Sequence, residues 1–156
     1  MSDNKILVLG IGNVLMGDEG IGVHVMKELE NESFPDNIVL IDGGTGGFHL
    51  LEYLQEYPKI IMIDATMDGK DAGTISVLEP KFASDFPKSL SAHDIGLRDL
   101  IEATAVLGDL PKMFLITVTI DKIQPMEIEL SEKVKESIPY VIDKIKFLLN
   151  EMNASK

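Results

Sequence analysis

KILVLGIGNVLMGDEGIGVHVMKELE, residues 5–30, is the stretch whose reading decides the fold. Lys5–Gly10 is an apolar run of strand length. A glycine-rich turn follows and carries Asn13, Asp18 and Glu19. Ile21, Val25 and Leu29 then recur at the spacing of one helix face. Strand, polar turn and helix in that order build the rim of a site in an open α/β sheet.

Working outward, NESFPDN is turn chemistry, and Ile38–Ile41 is a second short apolar run that ends in Asp42 and the glycine-rich DGGTGG. Phe48–Tyr57 reads as a helix stopped by Pro58, with Leu50, Leu51 and Leu54 on its inner side. Lys59–Ala65, KIIMIDA, is a third buried strand, ending in Asp64. Thr74–Leu78 alternates weakly and suits an edge. From Pro80 to Ala92 there is no periodicity, and His93 and Asp94 follow. Ile95–Leu107 has Leu97, Leu100, Ile101 and Thr104 at helical spacing and Gly108 as its stop. Met113–Ile120 is rich in β-branched residues and predicts a fifth strand. Asp121–Glu129 is irregular. Ser131 caps a last helix to about Asn150, with Val134, Ile138, Val141, Ile145 and Leu148 as its buried stripe and Pro139 expected to kink or split it.

The order β-α-β-α-β-β-α-β-α predicts a three-layer α/β/α sandwich. With no repeat or linker, residues 1–156 read as a single domain. Right-handed crossovers set the second strand on one side of the first and the third strand on the other. The winding reverses between strands one and three, where open sheets bind their ligands. Glu19, just after strand one, and Asp64, at the end of strand three, therefore converge on one crevice.

Composition narrows the function. A net charge of −12 argues against nucleic acid or an anionic membrane as partner. The chain has no cysteine, so thiol nucleophiles and cysteine-ligated metals are excluded. No signal peptide and no apolar run of membrane-spanning length is visible, and the expectation is a cytoplasmic protein.

Glu19 and Asp64 suit three roles: metal ligands, an acid–base pair, or polar decoration of strand ends. Among the three histidines, His24 sits beside a lysine in a helix and reads as solvated, and His49 reads as surface or capping. His93 lies between a loop and a helix start, where Asp94 as N-cap would aim the imidazole. Glu, Asp and His form a donor set for a divalent ion such as zinc or nickel, but they come from three separate segments and form no compact metal signature.

GIGN with GDEG, then DGGTGG, IIMIDA and SAHD, fall in an order that resembles the hydrogenase maturation endopeptidases. The likeness spans almost the whole chain, and TIDKIQPMEIELS is where it departs from the family's usual text. The resemblance implies a mixed five-stranded sheet of order 2-1-3-5-4 with strand four antiparallel at the edge. It implies Glu19, Asp64 and His93 as the catalytic, metal-binding triad. Asp42 and Thr45 of the DGGT turn become a wall that positions substrate, and Gly12, Asn13, Asp18 and Gly20 shape the first loop or support the ligands. The implied activity is endopeptidase removal of the C-terminal peptide from the nickel-loaded precursor of a nickel–iron hydrogenase large subunit. It is peptide hydrolysis of aspartyl or metal-dependent type. Nickel would arrive with the precursor, and zinc or cadmium could occupy the same site. That precursor is the expected partner of a monomeric enzyme.

Two other readings compete. A metal-binding assembly chaperone would use the same residues without cleavage. A Rossmann-type nucleotide site is disfavoured, because Leu15 stands where the third glycine of GxGxxG belongs and Asp18 and Glu19 would repel a pyrophosphate.

Overall fold

The computed structural model describes residues 4–45, 47, 49–86 and 97–154. The strands are β1 (Ile6–Gly10), β2 (Ile38–Asp42), β3 (Lys59–Thr66), β4 (Ile75–Leu78) and β5 (Lys112–Thr119). The α-helices are α1 (Ile21–Leu29), α2 (Leu50–Glu56), α3 (Leu97–Leu107) and α4 (Glu132–Ala154). A short 3-10 turn, Gly17–Gly20, leads directly into α1.

The strands form one sheet of order β2-β1-β3-β5-β4. All neighbours are parallel except β4, which runs antiparallel to β5 at the edge. The expected sheet and its order are therefore present. Parallel strands covered on both faces must be apolar on both, and the period-two alternation separates the two layers. Ile6 and Val8 of β1, Ile61 and Ile63 of β3, and Ile116 and Val118 of β5 pack with α1 and α4. Leu7, Leu9, Ile60, Met62, Met113 and Leu115 pack on the opposite face with α2 and α3. The side chains of β2 and β4 at the two edges are only half-buried or exposed.

Three expectations need adjustment. β3 runs two residues beyond Asp64, because β5 stays paired with it through Thr66↔Thr119. Helix α4 is one continuous element through Pro139. Pro139 removes the donor that would reach the Lys135 carbonyl, but both residues are exposed, so water can satisfy that carbonyl and the helix survives. The helix expected from Phe48 is seen from Leu50, and Phe48 itself lies outside the described residues.

Leu115→Ala in the central layer should cost about 2–5 kcal/mol in urea unfolding. Val106→Ala, at a position 85% exposed on α3, should stay within about 0.5 kcal/mol of the parent. Equal losses would contradict this assignment of the core.

Candidate functional site

The site begins where β1 stops and β3 does not. Gly10 pairs with Ile63, and the Ile11 N–H makes a last bond to the Ile63 carbonyl at 2.9 Å. Asp64 is the first β3 residue past that pairing. Its side chain alternates with Ile63 and so falls on the Ile60 and Met62 face, the face of α2 and α3. Asp64 Oδ1 accepts the Ala65 N–H at 2.8 Å.

Beyond Gly10 the chain turns across the sheet edge. Gly12 has φ +154°, and its N–H donates to the Gly44 carbonyl at 2.6 Å, tying the first loop to the DGGT turn. A Cβ on Gly12 would stand 2.2 Å from the Glu19 carbonyl oxygen, so only glycine lets the two limbs of the loop touch. Asn13 Oδ1 accepts the Leu15 N–H and completes the bend. The turn that carries Glu19 packs on β3.

Glu19 and Asp64 are thereby brought together, as the topology requires. Burial pushes the Asp64 carboxyl up to about 8, the Ala65 N–H opposes the shift, and the negative charge of Glu19 adds to it. His93 and Asp94 lie outside the described residues. Helix α3, which follows them in the chain, packs on the face that Asp64 occupies. Among the described residues no group of three His, Asp or Glu side chains is gathered to hold a metal ion.

Asp42 closes β2, and its Oδ1 accepts the Gly44 N–H at 2.8 Å, an Asx turn that presents Thr45 to solvent. Asp18 is 2% exposed and points away from Asp64's chemistry, toward the start of α4. Its partners there are Ser131 and Gln124. Nothing in the sequence singles out Gln124, which stands in a segment without periodicity, and only the buried acid opposite gives it meaning. His49 is exposed at the start of α2 and makes no side-chain cap. His24 is not on a solvated face: it is half-buried, with Nε2 enclosed and lacking a partner among the described residues. Burial and then the nearby Lys27 lower its pKa, against a bond to the Ile128 backbone. The 121–130 segment folding over α1 is what covers it.

The family model for hydrogenase maturation protease matches residues 23–146, which include Asp64 and His93 and begin just after Glu19. The hydrogenase expression/formation protein HupD of Bradyrhizobium diazoefficiens is 36% identical over 151 residues, covering 90% of this chain and 76% of its own length. The hydrogenase 2 maturation protease of Escherichia coli is 34% identical over 151 residues, covering 94% of this chain and 92% of its own. The solved structure of the hydrogenase maturating endopeptidase HybD from E. coli superposes with a TM-score of 0.85 at 32% identity, covering 94% of this chain and 93% of that one.

The Asp64 shift has a consequence for stability. Its carboxyl ionises near 8 in the folded chain against an ordinary value of 3.8. Between those values the folded protein keeps a proton that the unfolded chain has released, so stability must fall as pH rises through the window. With metal chelated, the Tm of the wild type relative to Asp64→Asn should drop by several degrees from about pH 5 to about pH 8. A difference that stays flat with pH would show that Asp64 is not held protonated.

Proposed function

The chain belongs to the hydrogenase maturation protease family, and we propose that it removes the C-terminal peptide from the nickel-loaded precursor of a nickel–iron hydrogenase large subunit. The observation that carries this reading is the meeting of Glu19 and Asp64 beyond the end of β1, in a protease family whose solved member HybD shares the fold.

The residues fit a divalent ion. Two carboxylates of like charge share one crevice, and one of them keeps a proton near neutral pH. Such a pair is relieved either by a proton or by a cation. Glu19 and Asp64 would supply oxygen donors and His93 a neutral imidazole nitrogen, a set suited to nickel and open to zinc or cadmium in the isolated protein. The nickel belongs to the substrate, and its role is to mark a precursor that has been loaded. Asp64 makes the site responsive to that mark, because near neutral pH an arriving cation displaces the proton that its carboxyl holds.

Cleavage adds water across one peptide bond. The water oxygen joins the scissile carbonyl carbon, the C–N bond breaks, and the leaving amine gains a proton. A carboxylate oxygen of Glu19 or Asp64 that the cation leaves free takes the proton from water and returns it to the amine. Asp42 and Thr45, held beside the first loop by the Gly12–Gly44 bond, form the wall against which the precursor tail lies. The net charge of −12 supports a protein partner over nucleic acid. No helix among the described residues is long and apolar enough to cross a membrane. The reading has the enzyme act on the precursor in the cytoplasm, as a monomer.

Incubation with nickel-loaded precursor should shorten its C-terminus, as read by mass spectrometry. His93→Ala should abolish both cleavage and metal binding while leaving the circular dichroism spectrum unchanged. A chain that binds metal but never shortens the precursor would be an assembly chaperone instead. Normal processing by His93→Ala would remove His93 from the triad.

A further inference from the structure

Glu19 sits in a 3-10 turn of only four residues. A turn of that length has little stability of its own, so its position is set by what grips it from outside. The Gly12 loop is one grip. The other lies on the far side, at Asp18, the residue before Glu19.

Asp18 is buried, and its oxygens are filled by neutral donors. Oδ1 accepts the Ser131 N–H at 2.7 Å. Oδ2 accepts the Ser131 hydroxyl at 2.7 Å and the Gln124 Nε2 at 3.1 Å. Gln124 closes the ring from the other direction, with its Oε1 accepting the Asp18 N–H at 2.9 Å. The carboxamide therefore grips both the backbone and the side chain of one residue. The carboxylate also stands at the start of α4, a 23-residue helix whose amino end favours negative charge.

Backbone bonds run alongside. The Gly17 N–H donates to the Glu127 carbonyl at 2.7 Å, and the Glu127 N–H to the Leu15 carbonyl at 3.2 Å. Gly17 has φ +60°, and a Cβ there would stand 2.2 Å from Gln124 Oε1, so the carboxamide lies directly on the turn.

We propose that Gln124 is a positioning residue for Glu19: through Asp18 and Ser131 it fixes the turn that aims the Glu19 carboxylate at Asp64. The assignment rests on the cation-binding reading of Glu19 above. It gives the 121–131 segment, where the sequence departs from the family's usual text, a direct mechanical link to the site. Loss of the carboxamide strands the Asp18 backbone N–H and takes from Oδ2 one of its two donors, leaving it the Ser131 hydroxyl, and the turn relaxes to satisfy the orphaned N–H. Partners that orient a ligand from behind typically change metal affinity by about 10–100-fold when removed.

The test titrates the full-length, metal-free chain with cadmium chloride by calorimetry, with Tm measured in parallel. Gln124→Met keeps the length of the side chain and removes its hydrogen bonds. Val134→Ala opens a cavity in the first turns of α4, at a fully buried position outside the polar network, and serves as the stability control. The expected result is a loss of cadmium affinity of about tenfold or more in Gln124→Met, with Val134→Ala binding as the wild type does despite its lower Tm. Ser131→Ala, which removes one donor to Asp18, should weaken cadmium in the same direction and stands in if Gln124→Met does not fold. Wild-type affinity in folded Gln124→Met or Ser131→Ala, or a loss in Val134→Ala equal to theirs, would overturn the proposal and leave the network a purely structural anchor. Failure of the underlying reading looks different: the wild type would bind no cadmium, or Glu19→Gln would bind it as well as the wild type, and the proposal would fall with it.

Discussion

The end of β1 at Gly10 is the constraint on which the rest of the site depends. β3 is paired on both sides up to Ile63 and on one side only from Asp64 onward. The side that β1 vacates is the crevice, and its chain must turn away over the sheet edge to reach α1. Everything placed there has to be held by something other than the sheet. Gly12 lets the returning limb approach, and the DGGT turn of β2 props it from the other side. The β5 partner keeps Asp64 rigid while β1 leaves room beside it. A carboxylate on a strand with a missing neighbour is both fixed in position and open to a ligand.

Most of this architecture was legible in the chain. Buried runs and helical stripes are first-order consequences of period, and Leu97, Leu100, Ile101 and Thr104 are buried as their spacing required. The convergence of Glu19 and Asp64 followed from crossover handedness alone. What escaped the sequence was decided by long-range contacts. His24 stands in a helix next to a lysine, which suggests water, yet a segment about a hundred residues later in the chain covers it. Pro139 carries a strong local penalty, and its exposed flank makes that penalty small. Gln124 has no pattern at all. Its significance comes from Asp18, 106 residues earlier in the chain.

The segment after β5 now has two duties that its irregular sequence hides. It closes over α1 at His24, and it holds the Glu19 turn through backbone and side chain alike. It also exposes Met126 and Ile128 to solvent, with Met126 at φ +62°. Backbone strain of that kind persists only where neighbouring bonds fix the chain on both sides, and here the bonds of Gln124 and Glu127 do so. A loop anchored this firmly is part of the scaffold of the site.

Asp18 and Asp64 show how one chain gives neighbouring acids different work. Asp18 is buried and Asp64 half-buried. Asp18 receives two donors from Ser131 and one from Gln124, and its oxygens are spent on holding a turn and a helix end in register. Among the described residues Asp64 receives only the Ala65 N–H and faces Glu19, so burial and like charge leave it holding a proton near neutral pH. A buried acid whose oxygens are all engaged has nothing left to offer a ligand. One that is short of donors is unstable as a bare anion and comfortable only with a proton or a cation. Among the described residues Asp64 is short of donors where Asp18 is fully satisfied, so in the function proposed above Asp64 is the acid that answers a positive charge delivered from outside, while Asp18, one residue before Glu19, holds the turn that carries its partner.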